Sequence, residues 1–160
     1  MIVYKVGDLF AGVKKCEEEG HKILIPHICN DIGAWGRGFV VPLGKAYPKA
    51  RAFYMIAKQI LGDTILVEEG AVTVANMIAQ HKLGGKAIRY AALVKCMQTV
   101  SEQVPKTTQI HAPLFGSGLA GGNWDFIEEL INEIWDGYDI TVWQLAGQEL
   151  REPTDENSRD

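Results

Sequence analysis

The chain has 160 residues, 47% of them hydrophobic and 22% charged, which is the size and make-up of one globular domain with a sizeable core. Its net charge is -4 and no segment carries a basic stripe, which excludes a nucleic-acid binder that works by charge alone. No apolar run approaches the roughly 20 residues of a membrane span, and Met1 to Asp8 lacks the basic-then-apolar pattern of a secretory signal. Cys16, Cys29 and Cys96 are odd in number and widely spaced, so no disulfide framework is expected and a reducing cytoplasm is the simplest home.

Ile2 to Val6 and Ile23 to His27 are short, branched and apolar, as buried strands are. Leu43 to Leu61 has helical spacing broken at Pro48, which is expected to open a helix, where its missing N–H is harmless. Thr64 to Val67 and Val72 to Ala75 flank Glu68-Glu69-Gly70-Ala71 and read as a hairpin. Ile88 to Val104 carries an apolar stripe ended by Pro105, and Ile110 to Leu114 is a strand that runs into glycines. Trp124 to Trp135 is an amphipathic helix with Asn123 as its N-cap, and Ile140 to Leu145 is the last strand. Gly147 to Asp160 holds five acidic and two basic residues with almost nothing apolar, so it is expected to be a frayed, disordered tail. The fold class predicted is α/β, one domain over residues 1–146 with a mixed β-sheet layered between helices.

Two stretches carry chemistry. Ile25 to Gly38 runs from a strand into a loop with Gly33, Gly36 and Gly38, and Pro113 to Trp124 ends a strand in Gly116, Gly118, Gly121 and Gly122. Glycine-rich turns of this kind let backbone N–H groups converge on an anion. Two such loops at the carboxyl ends of strands can meet over one crevice, and two facing cradles suit a diphosphate better than a single phosphate. The order G-x-x-G-x-G is not the dinucleotide fingerprint, and neither Gly44-Lys45 nor Gly85-Lys86 completes a P-loop, which argues against a nicotinamide dehydrogenase or an NTPase.

These residues resemble the macro domain family over about residues 1–146. Lys5-Val6-Gly7-Asp8-Leu9 is similar to the family's G-D-[IL] element, which implies that Asp8 bonds an adenine amino group with Leu9 beside it. His27 to Gly38 resembles the loop around the distal ribose and pyrophosphate, and so implies ligand contacts at Cys29, Asn30, Asp31, Gly33, Ala34, Trp35, Gly36, Arg37 and Gly38. Leu114, Phe115, Gly116, Ser117, Gly118, Leu119 and Ala120 resemble the second phosphate loop. The pattern H-x-C-N-x-x-G-x-W-G-x-G is similar to the branch holding ADP-ribose 1''-phosphate phosphatases and related ADP-ribosyl hydrolases (the Appr-1-p processing type).

What the resemblance implies is ADP-ribose binding without cofactor or metal, with dephosphorylation of ADP-ribose 1''-phosphate on His27 as one outcome. A non-catalytic binding module, or a hydrolase that frees protein or nucleic acid from ADP-ribose, are the alternatives. The hydrolases of that branch carry an aspartate directly after the G-L of the second loop, where Ala120 stands here, and Lys82 is only an approximate match for their lysine. His27 reads either as a proton-transfer group or nucleophile, or as a packed strand-end histidine. Asn30 reads as a ribose ligand, and Asp31 as a group orienting His27 or a water, or as a turn residue. Trp35 and Phe115 read either as walls of the crevice or as core. Arg37 reads as a phosphate partner or a solvated side chain. Cys29 lies two places from His27, but two ligands do not make a zinc site.

Overall fold

The computed structural model describes residues 2–155. Six strands form one sheet: β1 (Ile2–Val6), β2 (Ile23–Asn30), β3 (Thr64–Glu69), β4 (Val72–Gln80), β5 (Gln109–Ala112) and β6 (Ile140–Gln144). Their order is β1-β6-β5-β2-β4-β3. All neighbours are parallel except β3 and β4, the hairpin expected from Gly70, whose φ of 65° fits the turn.

The alternation along β2 and β4 builds two cores. Ile23, Ile25, Val72, Val74 and Ile78 pack on one face with Leu9, Val13, Leu43, Ala50 and Tyr54. Leu24, Ala75, Met77 and Ala79 pack on the other with Leu93, Met97, Ile127 and Ile131. Helices α1 (Leu9–Glu18), α2 (Val40–Ala46) and α3 (Pro48–Ile56) therefore cover the first face, and α4 (Tyr90–Gln103) and α5 (Trp124–Ile134) the second. Pro48 opens α3 at its first turn, and Asn123 caps α5 by accepting from the Phe126 N–H at 3.3 Å. On α5, Ile127 and Ile131 are fully buried, each worth about 2 kcal/mol of transfer free energy.

Pairing between β2 and β5 extends only over Ile23 and Leu24. The Ile23 N–H points to β4, donating to Ala71 O, so by alternation position 26 faces β5. Pro26 stands there without an N–H, and the two strands part beyond it. From β2 the chain moves toward β4, and from β5 it moves toward β6. The sheet thus changes winding direction between β2 and β5, and a crevice opens at their carboxyl ends.

After β6 the chain departs from the expected fray. Gln144 is almost fully buried, and its side-chain oxygen accepts from the N–H groups of Leu150 (2.7 Å) and Arg151 (3.0 Å). Thr154 pairs with Tyr4 at the edge of β1, and Arg151 reaches Asp125 and Glu128 on α5. Polar contacts fasten this segment where composition offered no apolar anchor. The remainder of the expected tail, 156–160, lies outside the described residues.

Candidate functional site: a cleft between two glycine loops

A cleft of ≈ 1030 Å³ lies over the switch point and brings Gly7–Phe10, Arg37–Val40, Leu114–Ala120 and Trp143–Leu145 together. A smaller depression of ≈ 350 Å³ sits under Glu149–Pro153 and holds none of the expected site residues.

The second loop stands at the cleft. All seven residues from Leu114 to Ala120 line the cleft. Gly116, at φ 79°, packs so tightly that a Cβ would meet methyls of Ile88 and Ile28 at 2.8 and 2.9 Å. A Cβ at Gly121 would fall 1.7 Å from Gly85 O. The turn closes on itself through Ser117 Oγ donating to Leu114 O and Gly122 N–H donating to Gly116 O. These contacts leave the N–H groups of Gly116, Gly118, Leu119 and Ala120 without an acceptor among the described residues. A row of unpaired amides at the mouth of a cleft is an anion cradle.

The first loop contributes later in the chain than expected. Only Arg37 and Gly38 of its anticipated ligands line the cleft, joined by Phe39, Val40 and Pro42, which the sequence did not single out. The N–H groups of Arg37, Gly38 and Phe39 also have no acceptor among the described residues. The loops touch across the cleft, since a Cβ on Gly38 would lie 3.7 Å from Leu119 Cδ1.

Residues 29–36 do other work. Asn30 does not line the cleft and braces the loop: its Oδ1 accepts from the N–H groups of Ile32 and Ala34 and from Tyr54 OH, while its Nδ2 donates to Ala34 O. Asp31 does not orient His27. Its carboxylate accepts from His81 Nδ1 at 2.6 Å and from Lys82 N–H at 2.7 Å, tying the loop to the end of β4. Partial burial raises its pKa, but these hydrogen bonds outweigh that and hold it below the ordinary value. Trp35 is core, packed against Tyr54 and His27 with ring centroids 5.4 Å apart in both pairs. Cys29 is buried beside His27 and does not line the cleft, and burial pushes its thiol well up. Gly33 lies against Gln59, and Gly36 stands in open space away from the cleft wall.

His27 sits at the floor of the cleft, yet only 2% of it is exposed. It pairs across β2 and β4 with Asn76, whose Nδ2 donates to Ala50 O, leaving Oδ1 to accept from His27 Nε2 at 2.5 Å. The neutral ring therefore carries its proton on Nε2. Burial lowers its pKa to about 4, against a smaller opposing effect of the Asn76 bond. At neutral pH the ring is uncharged, and its single N–H is held by Asn76 Oδ1.

Asp8 lines the cleft and caps α1, accepting from Phe10 N–H at 3.0 Å. The capping signal was present in the sequence but α1 itself was not anticipated. Phe115 forms wall and core together, edge-on to Trp124 at 5.8 Å. Ala120 lines the cleft, while Lys82 does not; Gln80 occupies the wall there. Asp8, His27 and Arg37 are thus the ionisable side chains lining the cleft among the described residues. No group of three or more His, Cys, Asp or Glu side chains is placed to hold a metal, and no helix is long and apolar enough to cross a membrane, again among the described residues.

A six-stranded mixed sheet between helical layers, with two glycine loops converging at its switch point, defines an α/β domain built to take a phosphorylated ligand. No family model matches the chain. A macrodomain protein from Streptomyces coelicolor superposes with a TM-score of 0.74 and 33% identity, covering 90% of this chain and 99% of that one. A protein of unknown function from Bacteroides thetaiotaomicron gives a TM-score of 0.80 with 33% identity, covering 89% and 97%. The ADP-ribose 1''-phosphate phosphatase of Lodderomyces elongisporus is 24% identical over 163 residues, 90% of this chain and 98% of that protein. The chain belongs to the macrodomain family.

Proposed function

We propose that the cleft binds ADP-ribose or a derivative of it, with the diphosphate held between the unpaired amides of the two loops. That double cradle is the observation that carries the reading: seven N–H groups on Arg37–Phe39, Gly116 and Gly118–Ala120 have no acceptor among the described residues. Ion-binding amides of this kind act at full strength only when water is excluded, and Phe39, Leu119 and Phe115 supply apolar walls beside them. Isothermal titration against ADP-ribose, ADP and NAD tests it. Saturable binding with ADP-ribose preferred is expected; no heat up to millimolar ligand removes the reading, and equal binding of all three makes this a general nucleotide site.

A second reading, removal of phosphate from ADP-ribose 1''-phosphate, is favoured by the names of the Lodderomyces elongisporus and Candida albicans relatives. In this chain His27 is neutral and buried, so its role there is to shape the floor through Asn76 and not to donate a proton. Release of inorganic phosphate that disappears in His27→Ala while ADP-ribose still binds would restore it as the reacting group. Removal of ADP-ribose from macromolecules by a lysine–aspartate pair has no support in the cleft, where Ala120 and Gln80 stand and Lys82 is absent.

A further inference from the structure

Charge is unevenly placed along this chain. Of its 16 Lys and Arg and 20 Asp and Glu, residues 32–62 hold five of the bases (Arg37, Lys45, Lys49, Arg51 and Lys58) and none of the acids. All five are exposed, and none forms an ion pair among the described residues. They stand singly between apolar neighbours and make no basic stripe. The same stretch holds six of the twelve large hydrophobic side chains exposed among the described residues, and Ile56, at 83%, is the most open of them.

Helix α3 gathers both features on one ridge. Ala50 and Tyr54 fix its inner face; on the helical repeat Pro48, Ala52, Met55 and Ile56 point the other way, with Lys49 and Arg51 on their flanks. A surface helix ordinarily turns polar side chains outward, whereas this crest is apolar and bordered by cations. Tyr54 OH donates to Asn30 O at 2.7 Å, and a Cβ on Gly33 would lie 3.6 Å from Gln59 Oε1. The chain leaving α3 therefore carries Lys58 and the exposed Ile60 alongside Ile32. Helix α3 lines neither the cleft nor the smaller depression, so the ridge is no pocket for a small ligand.

We infer that this ridge docks on an anionic lipid surface. Met55, Ile56 and Ile60 enter the boundary between headgroups and acyl chains, and Lys49, Arg51 and Lys58 reach the lipid phosphates. A two-fold contact with a second copy would set these unpaired cations against one another. A nucleic acid would ask for stacking rings where the crest is aliphatic. The net charge of -4 does not oppose the contact, because Asp125, Glu129, Glu133 and Asp136 lie on α5, across the sheet. Two layer spacings of roughly 10 Å each separate the helices, beyond the screening length of about 8 Å in physiological salt. The cleft opens at the carboxyl ends of the strands, so a docked chain keeps it free.

Co-sedimentation with vesicles tests the inference, using phosphatidylcholine alone and an equal mixture with phosphatidylglycerol, at low and high salt. Wild type is expected to partition onto the mixed vesicles roughly tenfold better than onto phosphatidylcholine, with the gain lost in high salt. Met55→Ser/Ile56→Ser and Lys49→Gln/Arg51→Gln should each weaken that partition roughly tenfold, with melting temperature and ADP-ribose affinity as in wild type. Ile56→Ser alone, at the most open position, should lose about threefold and serves if a double variant melts early. No partition onto the mixed vesicles, or equal partition by wild type and variants, overturns the inference. So does a wild-type dimer that Ile56→Ser dissolves, or retention on a DNA oligonucleotide and not on vesicles. Ridge-dependent partition by a chain that binds no ADP-ribose leaves the ridge standing and removes only the proposed function.

Discussion

Gly118 offers a direct way to occupy the anion cradle without disturbing the fold. It is exposed, a Cβ there would meet nothing within 4 Å, and its φ lies outside the left-handed region, so a side chain is accommodated. Gly118→Asp places a carboxylate among the unpaired amides. At ~5 Å from a bound diphosphate and an effective dielectric of ~20, repulsion per charge pair is about 3 kcal/mol; salt and solvent at an open site reduce this to about 1.5–3 kcal/mol. ADP-ribose affinity should therefore fall roughly 10- to 150-fold. Stability should stay within about 0.5 kcal/mol of wild type, as for a surface change that breaks no named contact. Calorimetric titration with a parallel thermal melt reads both quantities. Unchanged affinity in a folded variant would refute the cradle as the diphosphate site.

Gly121→Ala should instead damage the fold, because the new Cβ falls 1.7 Å from Gly85 O at a φ of 73°. A loss of about 3 kcal/mol, near 10 °C in melting temperature, is expected by thermal denaturation. His27 should make stability fall in acid: its folded pKa is about 4, below the unfolded value of 6.5, so the unfolded chain takes up the proton first. The stabilisation is present above pH 6.5 and is lost as pH falls toward 4, on the order of 2 kcal/mol between pH 7 and 4.5. Urea unfolding at those two pH values should show a smaller difference in His27→Gln than in wild type, and an equal difference would contradict the buried neutral ring.

The short, branched, apolar runs at Ile2–Val6 and Ile23–His27, the glycine turn between Thr64–Val67 and Val72–Ala75, and the capped apolar stripe of Trp124–Trp135 made much of the sheet and α5 legible in the sequence. The second loop was legible for a similar reason: its glycines mark close backbone approaches that no other residue fits, as at Gly116 and Gly121. Helix α1 is not legible in the sequence because only Leu9 and Val13 of its 10 residues are buried, too sparse a stripe to mark a helix. The first loop misled for a physical reason. Asn30, Asp31 and Trp35 look like ligand chemistry, yet Asn30 turns back on Ile32 and Ala34, and Tyr54, His81 and Lys82, remote in sequence, take up the rest of their polar groups and ring. Sequence spacing holds no trace of such partners. The strap after β6 was hidden likewise, since a few specific hydrogen bonds to Gln144, Tyr4 and α5 fix it without an apolar pattern.

A titration of the amide nitrogen–proton NMR spectrum with ADP-ribose tests the double cradle most directly. The expected result is large, saturable shifts concentrated at Gly38, Phe39, Gly116, Gly118, Leu119 and Ala120, with the amides of Ile32 and Ala34, already bonded to Asn30, moving little. Saturable shifts confined to other surfaces, with both loops silent, would contradict it.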